Sequence, residues 1–189
     1  MRVIAGQAHG RRLKAPRGMR TRPSSARARE SIFSRLTVRM DFTGARVLDI
    51  FAGSGSLGIE AISRGAGHVT FIDSSRDAAA VIRANLSKME LEDRGRIMLA
   101  DVTRALEELG SRHEQYNLIF VDAPYKNDVS NIVVETIGRL GLAAPGGWIV
   151  VEQSKRAPEA PPAPSGFERP TVARISDHRL AFYLRPEER

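Results

Sequence analysis

Five short apolar segments, the first four each followed by a stretch with helical periodicity, make up most of the chain after residue 42. Alternating strands and helices predict a parallel sheet with right-handed crossovers and helices on both faces. Two further β-like segments, near 169–175 and 179–184, flank Ser176-Asp177-His178 and predict an antiparallel hairpin at the sheet edge. The parallel strands are predicted at 46–50, 68–73, 96–100, 116–121 and 148–151, with helices at about 56–64, 76–89, 102–109 and 129–140.

The first forty residues have a different pattern. Short, partly apolar segments at 2–5 and 11–15 predict a small hairpin, and prolines and glycines then interrupt regular structure. A helix capped by Ser24 or Ser25 is predicted to run to about Met40. We therefore expect an N-terminal hairpin-and-helix extension, 1–40, followed by one compact domain, 41–189.

Basic charge is concentrated in this extension. The net charge of the chain is +7, yet residues 1–39 alone hold eleven Lys and Arg, ten of them arginine, against the single acid Glu30. Arginine suits phosphate because its planar fork donates two parallel hydrogen bonds. The charge distribution therefore indicates a polyanionic partner, with a merely solvated basic segment as the alternative.

Several classes of protein are excluded by composition. The chain has no cysteine, which removes disulfides, thiolate catalysis and Cys-ligated metals and suits a reducing cytoplasm. Its four histidines are scattered without metal-ligand spacing. No apolar segment has the length of a membrane span, and the N-terminus has no signal-peptide core. We expect a cytoplasmic protein with no metal and no membrane partner, and nothing in the pattern indicates anything other than a monomer.

A glycine-rich turn, Gly53-Ser54-Gly55-Ser56-Leu57-Gly58, follows the first strand and opens the next helix. Such a turn brings the backbone close to a ligand, and Asp73, at the end of the second strand, can accept hydrogen bonds from ribose hydroxyls. These features fit a nicotinamide dinucleotide or a turn without ligand. Asp49 favours S-adenosylmethionine, because a carboxylate suits a sulfonium and an ammonium better than a pyrophosphate. The chain also lacks room for a dehydrogenase's second domain.

The segment Asp122-Ala123-Pro124-Tyr125 follows the fourth strand, at the edge of a parallel sheet where ligands bind. An exocyclic base amine is a poor nucleophile, and oxygen acceptors on its N–H bonds would localise its lone pair. The Asp122 carboxylate and the Ala123 carbonyl are the candidate acceptors, and the Tyr125 ring can stack on the base. The base would have to be flipped or unpaired. The alternative is a loop aspartate beside a buried tyrosine.

Two resemblances extend these inferences. The run V-L-D-I-F-A-G-S-G-S-L-G-I-E resembles motif I of class I (Rossmann-like) methyltransferases, and D-A-P-Y resembles their (N/D)-P-P-(Y/F/W) motif except at Ala123. The first implies a mostly parallel seven-stranded α/β sheet and ribose contact by Asp73. It implies adenine contact by Asp101, which can equally be a helix N-cap. The implied cofactor residues are Asp49, Phe51, Ala52, Gly53, Ser54, Gly55, Asp73, Ser74, Asp101, Val102 and Asp122.

A narrower resemblance covers nearly the whole chain. The N-terminal R-V-I-A-G and T-R-P-S, the A-R-A-R-E-S-I-F-S-R-L helix and L-A-A-P-G-G-W-I-V-V-E resemble the RsmD-like family, bacterial methyltransferases of guanine N2 in 16S ribosomal RNA. Ala26, Ala123 and Ser176-Asp177-His178 depart from its pattern. The family implies ribosomal RNA or an assembling small subunit as partner, with RNA contacts from Arg2, Arg11, Arg12, Arg20, Thr21, Arg22, Pro23, Arg27 and Arg29.

Three functions compete at this point. The first is a guanine-N2 methyltransferase of small-subunit ribosomal RNA. The second is an enzyme of the same fold acting on adenine N6 of RNA or DNA, or on another amine such as glutamine. The third is an RNA-binding or ribosome-assembly factor without catalysis, which the replacement of proline by Ala123 keeps open.

Overall fold

A computed structural model describes residues 1–16, 23–123, 129–157 and 159–187 of the chain. It contains five α-helices, one short 3₁₀-helix at Glu92–Arg94 and seven strands in the described part. The helices are α1 (Pro23–Thr37), α2 (Ser56–Ser63), α3 (Arg76–Lys88), α4 (Val102–Ser111) and α5 (Val129–Arg139). The strands are β1 (Arg46–Ile50), β2 (His68–Asp73), β3 (Gly95–Leu99), β4 (Tyr116–Val121), β5 (Ala143–Ser154), β6 (Thr171–Ile175) and β7 (His178–Leu184).

All seven strands join one sheet in the order β3-β2-β1-β4-β5-β7-β6. The first five strands run parallel, and β7 pairs antiparallel with both β5 and β6. This is the class I methyltransferase architecture, so the predicted fold class is confirmed. Strand β5 is longer than predicted because it begins at Ala143, before a register shift opposite Tyr116 and Leu118.

Alternating side chains along the strands divide the core into two layers, one on each face of the sheet. One layer packs under α4 and α5 and contains side chains such as Ile119 and Val121. The other packs under α1, α2 and α3 and contains Val47, Phe71 and Phe120. The second face is the one that carries the acidic site residues predicted on strands. Asp49 and Asp73 follow Val47 and Phe71 by two residues, so their side chains point to the same face.

The N-terminal extension packs on this second face. A short hairpin forms where Arg2 bridges Arg12 in antiparallel fashion, as predicted. Its buried side chains and those of α1 belong to the same apolar cluster as the sheet: Val3, Ala8, Leu13, Ile32, Phe33 and Leu36. The extension therefore contributes to the core of the protein, while its separate role in RNA binding remains a prediction.

Two polar side chains of α2 hold the hairpin in place. The fully buried Glu60 carboxylate accepts hydrogen bonds from the backbone N–H groups of Ile4 and Ala5, at 2.7 and 3.0 Å. The Ser63 hydroxyl accepts from the Ala8 N–H, and the Ser63 carbonyl accepts from the Gln7 N–H. The hairpin thus satisfies acceptors at the C-terminal end of a helix, where intrahelical partners are missing.

The closing hairpin differs from expectation at one residue. The turn between β6 and β7 consists of Ser176, with a left-handed φ of 52°, and Asp177. His178 is already the first residue of β7, where it is 5% exposed. The sequence placed His178 with the turn because a polar triplet gives no sign of where a strand begins.

No helix in the described ranges is long and apolar enough to cross a membrane.

Two glycines of the N-terminal hairpin offer a matched test of its attachment. Gly6 and Gly10 both have left-handed φ, 82° and 77°. A Cβ on Gly6 would lie 1.8 Å from the Ser63 carbonyl oxygen, whereas one on Gly10 would meet nothing within 4 Å. Gly10→Ala should therefore lower the free energy of unfolding only by the conformational cost, about 1–2 kcal/mol. Gly6→Ala should cost more and should release the hairpin, measured by urea unfolding and by tryptic cleavage after Arg11 and Arg12. Equal effects of the two substitutions would contradict this account of the attachment.

Candidate active site

Acidic side chains from neighbouring strands meet at the carboxyl edge of the sheet. Asp49 pairs in register with Phe71 and Phe120, and the next paired row joins Ile50, Ile72 and Val121. Because strand side chains alternate between faces, Asp49 of β1, Asp73 of β2 and Asp122 after β4 all lie on the face covered by α1, α2 and α3. The predicted cofactor and acceptor carboxylates are therefore brought together.

The glycine-rich turn approaches this row closely. Phe51, Gly53 and Gly55 all have left-handed φ, of 60°, 54° and 73°. Left-handed φ is costly for phenylalanine, and such strain concentrates at functional sites. The turn is fixed by hydrogen bonds from the Ala52 N–H to the Ile72 carbonyl and from the Gly55 N–H to the Ala52 carbonyl. Ser54 is buried at the centre of the turn.

Asp49 is the most enclosed of these carboxyls, with 1% exposure. One carboxyl oxygen accepts a hydrogen bond from the Gly58 N–H in the first turn of α2, at 2.9 Å. Burial raises the pKa of Asp49 to about 7, the hydrogen bond from Gly58 opposes this shift, and the nearby Asp73 adds to it. The site therefore holds a carboxyl that would gain from a neighbouring positive charge near neutral pH.

Asp73 ends β2 as predicted, whereas Asp101 lies two residues after the end of β3, and both already have backbone partners. Asp73 accepts hydrogen bonds from the Gly53 and Ser75 N–H groups, at 2.9 and 2.8 Å. Asp101 caps α4 by accepting from the Thr103 N–H at 2.9 Å, which is the N-cap alternative that the sequence left open. Ser74 is exposed beside Asp73, and Val102 is buried at the start of α4.

Asp122 directly follows β4, and its N–H donates to the Ile50 carbonyl at 3.5 Å, continuing the ladder by one residue. Burial raises the pKa of the Asp122 carboxyl well above its usual range, and the charges of Glu152 and Asp49 raise it further. Because this side chain keeps one side open to solvent, the two neighbouring carboxylates are the stronger reason for the shift. Ala123 is buried, at 6% exposure. The other two predicted catalytic residues, Pro124 and Tyr125, lie outside the described residues.

Glu152 of β5 is a site residue that the sequence analysis missed. It is 8% exposed, and its carboxylate lies 2.6 Å from Nδ1 of His178. The acid in the Val150-Val151-Glu152 run, at the end of a buried parallel strand, was the available signal. Its partner on β7 could not be found from local sequence, because the pairing joins distant segments.

The predicted RNA contacts separate into two groups. Arg2, Arg11, Arg12 and Arg27 are exposed. Arg29 is 5% exposed, donates to the Arg2 carbonyl at 2.8 Å and is drawn electrostatically to Glu60 and Glu152. It therefore faces the site from within the protein instead of presenting its guanidinium at the surface. Pro23 begins α1, and Arg20, Thr21 and Arg22 lie outside the described residues.

Asn85 joins the N-terminal hairpin to the glycine-rich turn. Its buried side-chain amide accepts from the Lys14 N–H at 2.8 Å and donates to the Lys14 carbonyl at 3.0 Å. The same amide nitrogen donates to the Ser54 carbonyl at 3.0 Å. A single side chain on α3 thus connects the basic segment to the glycine-rich turn.

Known proteins resemble this chain over most of its length. The family model described as "Conserved hypothetical protein 95" matches residues 1–184. The "Putative rRNA methyltransferase YlbH" of Bacillus subtilis is 39% identical over 155 residues, covering 82% of this chain and 83% of that protein. "Ribosomal RNA small subunit methyltransferase D" of Escherichia coli is 35% identical over 153 residues, covering 80% of this chain and 71% of that protein.

The solved structures include a similar fold over the full chain. The "Putative methyltransferase yhhF" of Escherichia coli has a TM-score of 0.84 and 28% sequence identity, and the alignment covers 100% of this chain and 99% of that one.

The buried Asp49 predicts a pH-dependent stability. The unfolded chain ionises this carboxyl near its ordinary value of 3.8, while the folded protein retains the proton until about pH 7. The folded pKa is raised, so the Asp49 contribution to stability is complete below pH 4 and is lost as the pH rises toward 7. Asp49→Asn removes this loss, because asparagine stays neutral and can still accept from the Gly58 N–H.

Urea unfolding of the free protein at several pH values measures this effect. The stability of Asp49→Asn relative to wild type should increase between pH 4 and 7 and then level off. The gain is on the order of a few kcal/mol, at about 1.4 kcal/mol per pKa unit. Asp93→Asn, which removes an exposed carboxyl, controls for net charge. Parallel stability curves for wild type and Asp49→Asn would contradict the burial argument.

Proposed function

The chain belongs to the family of conserved hypothetical protein 95, the RsmD-like family, and from this premise we propose that it transfers a methyl group from S-adenosylmethionine to the exocyclic N2 amine of a guanine in small-subunit ribosomal RNA. The observation that carries the proposal is the position of Asp122. Its carboxyl lies beside the glycine-rich turn and close enough to Asp49 for the two carboxyls to interact. The hairpin of the N-terminal extension is tied to the same turn by Asn85.

The donor set fits S-adenosylmethionine. Asp49 offers a carboxyl for its cationic part, and the left-handed backbone of Gly53 and Gly55 allows close approach of the turn. Asp73 and Asp101 are proposed to exchange their backbone hydrogen bonds for ribose and adenine contacts. When bound, this co-substrate supplies an electrophilic methyl group on a sulfonium, whose S–C electron pair stays on sulfur. Negative carboxyls at this edge would be unfavourable neighbours for a pyrophosphate, which argues against a dinucleotide.

The chain's own groups would act on the amine. An N–H bond donated to the Asp122 carboxylate localises the nitrogen lone pair, which then forms the N–C bond as methyl arrives. The N–H proton passes to an Asp122 oxygen, so the carboxylate becomes a neutral acid. Pro124 and Tyr125 are proposed to complete the acceptor and stacking groups of this motif.

The exposed arginines of the extension provide the RNA affinity in this proposal. Arg2, Arg11, Arg12 and Arg27 are exposed and carry no acidic partner in the ion pairs of the described residues. A glutamine side chain as substrate would leave this charge without a purpose. We propose residues 1–40 as the RNA-binding part of a monomeric, cytoplasmic enzyme, with residues 41–189 as the methyl-transfer part. The names of the relatives favour small-subunit ribosomal RNA, and guanine follows from the family resemblance.

The decisive assay uses labelled co-substrate and small-subunit RNA, or assembling subunits, from cells lacking the enzyme. Asp122→Ala should lower the rate of transfer by roughly 10²-fold or more, while co-substrate binding by calorimetry is largely kept. Asp93→Ala is the control for loss of an exposed carboxyl. Mass spectrometry of the digested nucleosides should find N2-methylguanosine. Label in adenine would favour the second function, and RNA binding without transfer in the wild type would favour the assembly factor.

The arginine contacts give an independent measurement of RNA binding. Replacing Arg11 and Arg12 together with glutamine should flatten the slope of log affinity against log salt by about one to two units, because fewer counterions are released. The control is the pair Arg112 and Arg139 on α4 and α5, whose guanidinium groups bind Glu108 and Glu107 in the opposite helical layer. An unchanged slope in the first variant would assign Arg11 and Arg12 to an ordinary solvated surface.

A further inference from the structure

Glu152 lies directly beside Asp122 in the sheet. Val121, the last residue of β4, pairs in register with Val151, and Asp122 and Glu152 are the residues that follow this pair. Paired residues in adjacent strands point to the same face, and neighbouring strands lie about 4.8 Å apart. Both side chains therefore lie on the face that carries Phe120 and Val150. Of the neighbouring charges, that of Glu152 contributes most to the raised pKa of Asp122.

The Glu152 carboxylate is held from the other side by β7. Ser154 pairs with His178, which brings the imidazole over the strand, and Nδ1 lies 2.6 Å from the Glu152 oxygen. The two side chains are only 8% and 5% exposed. A buried carboxylate requires such a partner, because desolvation otherwise favours its neutral form.

Groups from each packed element complete the surroundings of Glu152. Arg29 on α1 is buried and attracted by Glu152, while Glu60 on α2 attracts the same guanidinium. On the side of β1, Asp49 repels Asp122, and Asp73 on β2 in turn repels Asp49. The His178 imidazole and the Arg29 guanidinium therefore face Glu152. By contrast, the groups that face Asp122 are the carboxyls of Glu152 and Asp49.

We propose that Glu152, held by the His178 imidazole and facing the Arg29 guanidinium, is a positioning residue that makes Asp122 the proton acceptor of the site. This inference rests on the proposed amine chemistry. As the amine N–H bond breaks, its electron pair returns to nitrogen and an O–H bond forms on Asp122. The fixed charge of Glu152 favours that protonation, and the open side of Asp122 lets the proton leave to water afterwards. A base whose affinity for protons is matched to the working pH is the effective one.

The direct test is the titration of the Asp122 carboxyl in the full-length protein, followed by NMR with ¹³C-labelled aspartate and assigned with Asp122→Asn. Glu152→Gln should lower the Asp122 midpoint by about one pH unit, because a neighbouring like charge is removed. His178→Phe should lower it as well, because Glu152 loses the contact that holds its carboxylate beside Asp122. His178→Gln, which keeps a donor, should stay near the wild type.

The matched control is Glu114→Gln. Glu114 is also a partly buried, ion-paired carboxylate, but it binds Arg46 and Arg96 near the opposite end of β4. Removing it should leave the Asp122 midpoint unchanged. An Asp122 midpoint that does not move in folded Glu152→Gln and His178→Phe overturns the inference.

Kinetics supply the second readout. In Glu152→Gln the acid limb of the plot of kcat against pH should shift to lower pH, as the Asp122 titration does. The fold-decrease in kcat should also exceed the fold-change in KM for the co-substrate. A shifted titration with an unshifted kcat profile overturns the role in catalysis. If the wild type shows no methyl transfer, the proposed function fails, and the titration still decides whether Glu152 controls Asp122.

Discussion

The crowding of carboxyl groups at one edge of the sheet is the constraint on which the rest of the site depends. Parallel register brings Asp49, Asp122 and Glu152 to the same face, where like charges in a partly dehydrated environment repel each other. The protein offsets this repulsion with three different groups: a helix N–H at Gly58, an imidazole at His178 and a buried guanidinium at Arg29. In the proposed function a cationic methyl donor would neutralise the residual negative potential, so the unfavourable charge would also favour binding of the donor.

This offset explains why the N-terminal extension is part of the core. Arg29 comes within electrostatic range of Glu152 because α1 packs on the sheet through Ile32, Phe33 and Leu36. The hairpin before α1 is in turn attached to α2 by Glu60 and to α3 by Asn85. The basic surface, the glycine-rich turn and the acidic row therefore share one framework. Displacement of the hairpin would change the environment of the Ser54 carbonyl, because Asn85 bonds both Lys14 and Ser54.

Local periodicity was sufficient for most of the fold. Strand β1, strand β4 and the helix starts at Ser56 and Arg76 were predicted to the residue, since apolar runs and caps are local signals. The family resemblance was confirmed as well. Long-range contacts were not predictable: the pairing of Glu152 with His178 and the burial of Arg29 arise when segments more than twenty residues apart pack together. The number of arginines in the sequence gives only the charge of a segment. The packing of the folded protein is needed to distinguish an arginine that could bind phosphate from one that acts as a counterion inside the protein.

The replacement of proline by Ala123 can now be considered in physical terms. Proline fixes φ through its ring, whereas alanine leaves the loop to be fixed by its surroundings. Ala123 is 6% exposed. It follows Asp122, whose N–H donates to the Ile50 carbonyl and so extends the hydrogen bonding between β1 and β4. The packing of Ala123 and the backbone hydrogen bond of Asp122 restrict the backbone that a proline ring would otherwise restrict. Because alanine leaves the unfolded chain more flexible than proline does, folding costs a larger loss of conformational entropy. Asp122 directly follows β4, whose register with β5 ends at Val121 and Val151, and this register does not require a proline. An alanine at this position is therefore compatible with an active acceptor site.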